Sequence, residues 1–258
     1  MDFPFELRGG RIWVEATLRG VKKSGIFDTG ADGTAIDQEL SEGLGLKRGH
    51  TQAATTVSAD IGVVKTDPIE FNLGRTSLTA DEANILPLSA HIEGLNFILG
   101  FDALKKVPFT IDYSKGLLRF GSMPEGVRMQ FVLDKDIRPT NELKVGGASM
   151  TAMLDTGAAG GISFRVSWVK KNLAKLRLEE PQKRVILGSE YESRKFILEE
   201  VFLGGATLTK VEAEAVAAEE GAFGDQEDSL VEVGNTVLKL FEQVGIDGER
   251  RMTTFVHR

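Results

Sequence analysis

Short segments in which apolar and polar residues alternate dominate the chain, and they predict a mainly β protein. Aliphatic side chains occupy every second position over residues 11–19, and apolar ones do so again over residues 69–73, where Gly74 ends the pattern. A period of two places alternate side chains on one face of a strand. Residues 57–64 are predicted to form a hairpin.

Helical spacing is confined to a few short segments. Residues 37–46 and 101–106 are each predicted to form a helix of one to three turns. A third helix is predicted over residues 166–178, where Val169, Leu173 and Leu176 recur at helical intervals. The expected fold class is therefore mainly β with a few short helices.

An internal repeat divides the chain into two similar halves. Residues 26–31 (IFDTGA) match residues 153–158 (MLDTGA) at an offset of 127 positions. Further landmarks recur in the same order: a glycine eight residues before the aspartate (Gly20, Gly147), a Leu-Gly pair (73–74, 203–204), an apolar residue before glycine (99–100, 233–234) and an Ile-Asp pair (111–112, 246–247). An ordered set of matches indicates duplication. We predict two domains, residues 1–125 and 126–258.

Each half carries one Asp-Thr-Gly triplet directly after an apolar strand, and this pairing predicts acid–base chemistry at Asp28 and Asp155. A carboxylate at the end of a buried strand is poorly solvated, which favours its protonated form. Two such groups brought together by a twofold axis repel each other and hold one proton between them. One member can then act as a base on a bound water while the other acts as an acid toward a carbonyl oxygen.

The residues after each aspartate are predicted to position it. Gly30 and Gly157 allow a backbone N–H to approach the carboxylate where a Cβ would obstruct it. The hydroxyl groups of Thr29 and Thr156 can form hydrogen bonds across the axis to the backbone of the other loop. These contacts would hold the two loops together.

The two motifs resemble those of the aspartic proteases, in particular the retropepsin-like and bacterial relatives of pepsin. The first motif is Phe27 to Ala31 with Ile98-Leu99-Gly100, and the second is Leu154 to Ala158 with Val233-Gly234. The resemblance covers nearly the whole chain. It implies the acid protease fold, with two β-barrel-like lobes, a cleft between them, and an apolar-apolar-Gly segment bracing each catalytic loop. Ala31 and Ala158 would complete the active-site loops. It also implies one sheet that joins residues 3–7, 127–133 and 252–257.

The resemblance places a substrate-binding hairpin, or flap, between the catalytic loop and the Leu-Gly landmark of each half. The expected tips are Ser58, Ala59, Asp60, Ile61 and Gly62 in the first half, and Gly188, Ser189, Glu190 and Tyr191 in the second. Residues 51–67 lack the tyrosine of the pepsin-like flap, and we interpret Tyr191 as an ordinary residue of an amphipathic strand.

The second bracing segment departs from the family pattern at Glu232, where an apolar residue is usual. A buried carboxylate is costly unless it is paired or protonated. Either the second lobe is rearranged locally, or Glu232 points outward.

Composition narrows the choice of function. The chain has 258 residues, with 31 Lys and Arg against 38 Asp and Glu, and a formal net charge of −7. An acidic chain without a basic run is not expected to bind nucleic acid or anionic membranes, and no apolar run approaches the roughly 20 residues of a membrane span. The absence of cysteine excludes disulfides and thiol catalysis. The scattered histidines show no metal-ligand spacing, and we expect neither a metal nor another cofactor.

The favoured hypothesis is a single-chain aspartic endopeptidase that acts on peptides or unfolded proteins as a monomer with an intramolecular pseudo-twofold axis. One alternative is a catalytically inactive retropepsin-like module that binds peptides. Another is a homodimer in which the motifs of two chains pair. The N-terminus has no apolar segment of a signal peptide, and we expect an exported or periplasmic bacterial protein whose signal peptide has been removed.

Overall fold

The computed structural model describes residues 2–46, 48–55, 60–134, 138–173, 176–186, 189–217 and 230–258. Over this part of the chain the protein is mainly β, as the alternating pattern predicts. The strands are β1 (Asp2–Pro4), β2 (Glu6–Arg8), β3 (Arg11–Leu18), β4 (Val21–Phe27), β5 (Ala35–Asp37), β6 (Arg48–Thr55), β7 (Asp60–Thr66), β8 (Ile69–Leu73), β9 (Thr76–Ala80), β10 (Asn84–Leu86), β11 (Phe97–Leu99), β12 (Phe109–Asp112), β13 (Leu117–Phe120), β14 (Val127–Gln130), β15 (Val132–Asp134), β16 (Arg138–Val145), β17 (Ala148–Leu154), β18 (Ile162–Arg165), β19 (Gln182–Ile186), β20 (Ser189–Leu203), β21 (Ala206–Ala217), β22 (Leu230–Val233), β23 (Phe241–Asp247) and β24 (Met252–His257). The helices are α1 (Gln38–Gly43), α2 (Leu88–His91), α3 (Phe101–Leu104), α4 (Val166–Asn172) and α5 (Asn235–Leu238).

A six-stranded sheet in the order β1-β13-β12-β23-β24-β14 joins the two halves. Its centre is the antiparallel pair of β12 and β23, in which Ile111 lies opposite Val244. These strands carry the repeated Ile-Asp pairs, so equivalent strands of the two repeats meet there. The outer strands follow the same symmetry, since β1 and β14 open the two repeats. The expected sheet is confirmed for β1, β14 and β24, whereas β2 and β15 pair within the lobes.

Each lobe is built on a curled sheet of its own. The first-lobe sheet runs β6-β7-β10-β5-β11-β4-β3-β8-β9, with β2 also paired to β3. The second-lobe sheet runs β15-β16-β17-β22-β18-β21-β20-β19, with an extra pairing between β16 and β20. The bracing strand lies parallel to the strand before the aspartate in both lobes, β11 beside β4 and β22 beside β17. The fold is the acid protease fold expected from the motifs, while the domain boundary at residues 125 and 126 stays a prediction.

Paired hairpins deliver both aspartates. Strands β3 and β4 turn at Gly20 with φ of 82°, and β16 and β17 turn at Gly147 with φ of 83°. Both values lie in the left-handed region, which glycine adopts without a Cβ penalty. Asp therefore follows Gly by eight positions because one strand of 7 residues lies between them in each hairpin.

One apolar core extends through both lobes and the joining sheet. Its largest fully buried side chains include Phe27, Phe71 and Phe109 on the first-lobe side and Phe164 and Phe241 on the second. Phe27 packs edge-on against Phe109 at 5.0 Å, which ties the strand before Asp28 to the joining sheet. Edge-to-face aromatic pairs at this distance add to the gain from burial.

The predicted helices form at the expected places but are shorter than predicted. Helix α1 begins after Asp37, whose carboxylate accepts a hydrogen bond from the Glu39 amide at 3.1 Å. Helix α4 ends at Asn172 rather than at residue 178 because Leu173 leaves the helical conformation. Leu176 and Leu178 still pack against the core, which explains their apolar pattern.

Strands β6 and β7 pair with each other, as do β19 and β20, where the two hairpins were expected, and the first pairing begins at Arg48, before the predicted start at residue 57. Asp60, Ile61 and Gly62, predicted at or near a turn, lie in β7, where Gly62 pairs with Ala53. Ser189, Glu190 and Tyr191 lie in β20 and pair with residues 184–186 of β19. The two ladders end at the Thr55–Asp60 pair and at the Ile186–Ser189 pair. Ser58, Ala59, Gly188 and the acidic residues 225–228 lie outside the described residues. Among the helices of the described part, none is long and apolar enough to cross a membrane.

Candidate active site

Asp28 and Asp155 lie at equivalent places, one residue beyond β4 and β17. The Asp28 amide donates to the Leu99 carbonyl and the Asp155 amide donates to the Val233 carbonyl, both at 3.0 Å. The bracing strands therefore fix the backbone of each aspartate from behind, as the family pattern implies.

The two carboxyl groups face each other and share a hydrogen bond. A Cβ at Gly30 would overlap the Asp155 carboxyl group, and a Cβ at Gly157 would overlap that of Asp28. Each glycine is required because the opposite carboxylate occupies the space that a side chain would take. Both aspartates retain partial exposure, so the site is open to small molecules.

Backbone amides hold each carboxylate in the same way. Gly30 N and Ala31 N both donate to Asp28 Oδ1 at 2.9 Å. In the second lobe Gly157 N and Ala158 N donate to Asp155 Oδ1 at 2.7 and 3.0 Å. One oxygen of each carboxylate is thereby fixed, and the other is left for the partner carboxyl or a ligand.

Thr29 and Thr156 lock the loops together across the pseudo-twofold axis. Thr29 Oγ1 donates to the Leu154 carbonyl and Thr156 Oγ1 donates to the Phe27 carbonyl, both at 2.6 Å. In return, each hydroxyl oxygen accepts a hydrogen bond from the other threonine's amide, at 3.0 and 3.1 Å. These buried hydrogen bonds confirm the predicted contact between each threonine hydroxyl and the backbone of the other loop.

The electrostatics of the pair are asymmetric. Desolvation is the main reason why both pKa values are raised, and the nearby charge of Asp155 raises the pKa of Asp28 further. The pKa of Asp155 rises less, because the Asp28 hydrogen bond and the loop amides favour its charged form. At intermediate pH the pair is therefore expected to hold one proton between the two carboxyl groups.

Glu232 is a third carboxyl group at the site. Its strand pairs with Met153 and Ser163, just as Ile98 pairs with Ile26 and Ala35 in the first lobe, so the lobe is not rearranged. Its side chain faces the pair, so the expectation that it points outward is wrong. Burial and the charges of Asp155, Glu214 and Asp28 raise its pKa well above the usual range.

The faces around Ile98 and Glu232 differ in polarity. Ile98 belongs to a closed apolar cluster that also contains Trp13, Ile26, Ala35, Leu88 and Leu95. Around Glu232 the equivalent strands present Met153, Ser163 and Glu214, and Ser163 Oγ donates to Glu214 Oε1 at 3.1 Å. The second aspartate thus has a polar neighbourhood where the first has an apolar one.

Two further groups at the site were not predicted from the sequence. Asn235, directly after Gly234, contacts the loop of Asp155. Its position next to a glycine of the repeat is the sequence signal that could have pointed to it. Thr34 Oγ1 accepts from the Gly100 amide at 3.1 Å and donates to Asp102 Oδ1 at 2.8 Å, which braces the first lobe. Burial raises the pKa of Asp102. Within the described residues, no group of three or more His, Cys, Asp or Glu could hold a metal ion.

Residues 14–103 match the family model of aspartyl proteases, a stretch that includes Asp28 and its bracing segment. No curated protein matches the chain. This match to the first lobe confirms the resemblance to the aspartic proteases that was inferred from the motifs. The second lobe repeats the same strand pairings around its own Asp-Thr-Gly.

Proposed function

We propose that the chain is an aspartic endopeptidase that hydrolyses peptide bonds with a water molecule held between Asp28 and Asp155. The observation that carries the proposal is the carboxyl pair itself, in which equivalent loops of two lobes present facing, coupled acids whose pKa values are both raised. A peptide-binding module without catalysis would not require both acids in this arrangement.

The chemistry follows from the protonation state. Ionised Asp155 takes a proton from the water, whose oxygen attacks the peptide carbonyl carbon, while Asp28 donates its proton to the carbonyl oxygen. The resulting tetrahedral diol collapses when Asp155 passes its proton to the leaving nitrogen and Asp28 recovers one from a hydroxyl. The C–N bond breaks, and the pair returns to its starting state.

The proposed substrates are peptides and unfolded proteins, because an extended segment is needed to reach a pair enclosed between lobes. The proposed active form is a monomer, since one chain supplies both aspartates. The hairpins of β6–β7 and β19–β20 are the proposed flaps. Hydrogen exchange at their ends should slow when a statine-type transition-state mimic binds, and unchanged exchange in both would contradict that assignment.

The test is hydrolysis of an unfolded protein from about pH 3 to about pH 7, with and without the statine-type mimic. Asp28→Asn and Asp155→Asn should each abolish cleavage while leaving folding intact, because the amide is nearly isosteric but cannot share the proton. Asp81→Asn is the matched control, since Asp81 is an exposed carboxylate that pairs with Lys106 at 2.8 Å. Cleavage that persists in both active-site variants would refute the proposal, and a folded wild type that binds the mimic without cleaving would favour the inactive module.

A further inference from the structure

One peptide unit connects the Asp155 carboxylate to a side chain behind the loop. The Gly157 N–H donates to Asp155 Oδ1 at 2.7 Å, and the carbonyl of the same peptide unit, that of Thr156, accepts from Asn235 Nδ2 at 2.6 Å. The Thr156 carbonyl also receives a longer bond from the Ile12 amide at 3.4 Å. A hydrogen bond at the carbonyl end polarises a peptide and strengthens donation from its N–H end.

The orientation of the Asn235 amide is determined by its partners. Its Nδ2 also donates to the Ala158 carbonyl at 3.3 Å, and its Oδ1 accepts from the Tyr113 hydroxyl at 2.8 Å. A flipped amide would direct its oxygen at two carbonyl oxygens, which is repulsive. Asn235 is 1% exposed, so water does not compete for these bonds.

Tyr113 belongs to the first lobe and reaches across to Asn235. Its amide donates to the Glu242 carbonyl at 3.0 Å, and its ring packs edge-on against Phe5 at 6.1 Å. Burial raises the pKa of the Tyr113 hydroxyl, so the group keeps its proton and acts as a donor. The joining sheet therefore holds the hydroxyl in place for Asn235.

The position equivalent to Asn235 in the first lobe cannot make this side-chain contact. Phe101 follows Gly100 where Asn235 follows Gly234, and its ring offers no N–H or O–H to the loop. Gly30 N still donates to Asp28 Oδ1, at 2.9 Å. The two carboxylates thus receive similar backbone bonds, but Phe101 cannot donate to the peptide behind Asp28 as Asn235 donates to the peptide behind Asp155.

We propose that Asn235, oriented by Tyr113, is a positioning residue that keeps Asp155 the ionised member of the pair and leaves the shared proton on Asp28. The inference rests on the proposed function for its catalytic meaning, but the proton distribution can be measured without turnover. Asn235 acts through the Thr156–Gly157 peptide and touches neither substrate nor water.

Other charges also face the pair, and substitution of Asn235 leaves them in place. Three charged groups act on or near Asp155: Asp28 on the opposite loop, Arg138 on β16 and Glu232 on β22. Glu214 on β21 acts on Glu232. Arg138 and the Asp28 hydrogen bond favour the ionised form of Asp155, whose charge in turn disfavours ionisation of Asp28 and Glu232. A change in titration on removing the amide is therefore assigned to the peptide contact.

The experiment follows the ¹³C carboxyl signals of labelled aspartate in the full chain during a pH titration, with assignments from Asp28→Asn and Asp155→Asn. Asn235→Leu removes the amide at similar volume, and Tyr113→Phe removes the hydroxyl that orients it. The matched control is Asn96→Leu, because Asn96 Nδ2 also donates to two carbonyls, those of Ser24 and Gly94, away from the pair.

In the wild type, the first ionisation should appear mainly on Asp155. In Asn235→Leu it should move up by about half a pH unit or more and shift toward Asp28, with a smaller change in the same direction in Tyr113→Phe. Asn96→Leu should titrate as the wild type does. Once a cleavable peptide is known, Asn235→Leu should lower kcat several-fold with little change in KM.

Unchanged titration in folded Asn235→Leu would overturn the inference. If that variant does not fold, Tyr113→Phe decides in the same way, since its shape is preserved. Failure of the wild type to cleave any peptide would refute the proposed function but not the proton distribution, so the two failures are distinguishable.

Discussion

Replacing Thr29 with Val gives a quantitative test of the lock between the lobes. The change keeps the shape of the side chain but removes its hydroxyl. The Leu154 carbonyl loses a donor at 2.6 Å, and the Thr156 amide loses its acceptor at 3.1 Å. Both groups are buried between the loops, where water cannot replace the lost partner.

The expected loss of unfolding free energy is large for the removal of one oxygen atom. A buried polar group left without its partner costs about 1–3 kcal/mol, so two such groups predict a loss of about 2–6 kcal/mol of unfolding free energy. Thr29→Ser keeps the hydroxyl and loses one methyl group, for which about 1 kcal/mol is expected. By the pseudo-twofold symmetry, Thr156→Val should match Thr29→Val.

The assay is urea unfolding followed by circular dichroism, with both single valine variants, the double variant and the serine control. Because the two threonines share one network, the double variant should deviate from additivity by about 0.5 kcal/mol or more. Peptide cleavage should fall in parallel, since the carboxyl groups lose their alignment. A Thr29→Val protein as stable as Thr29→Ser would refute the reasoning, because the hydroxyl would then contribute nothing.

Three further changes give distinct outcomes. The pKa of Glu232 is raised in the folded protein, so above about pH 4.5 the folded protein keeps a proton that the unfolded chain releases, and this residue's contribution to stability falls as pH rises. Glu232→Gln should therefore stabilise the protein more at pH 7 than at pH 4. An equal effect at both pH values would contradict the burial argument. The double variant Ala31→Ser with Ala158→Ser adds hydroxyl donors near the carboxylates and should move the acidic limb of the pH–rate profile to lower pH, whereas an unmoved limb would show that hydroxyls there do not influence the pair. Deleting residues 252–258 removes β24 between β23 and β14, including buried Phe255, and should lower the melting temperature strongly; unchanged melting would argue against the joining sheet as a stabilising element.

Local chemistry in the sequence was sufficient to predict the central features of the site. The duplicated Asp-Thr-Gly requires glycine where a carboxylate approaches and a hydroxyl where two loops meet, and both requirements are visible as residue types. Alternation predicted β3 and β8, and helical spacing over residues 37–46 predicted α1. Helix α4 was predicted too long because Leu176 and Leu178 keep an apolar pattern while packing on the core without helical geometry.

The sequence by itself predicted the β class, the repeat and the two acids of the candidate site, because period, turn glycines and motif spacing are local properties of the chain. Tertiary structure decided the contacts between residues that are far apart in the chain, which local patterns cannot specify. Glu232 faces the pair because its strand keeps the pairing of the apolar first lobe, and Asn235 acts on Asp155 because Tyr113 arrives from 122 positions away. Such contacts depend on which strands the joining sheet brings together, and pairing across the pseudo-twofold axis is a property of the assembled fold.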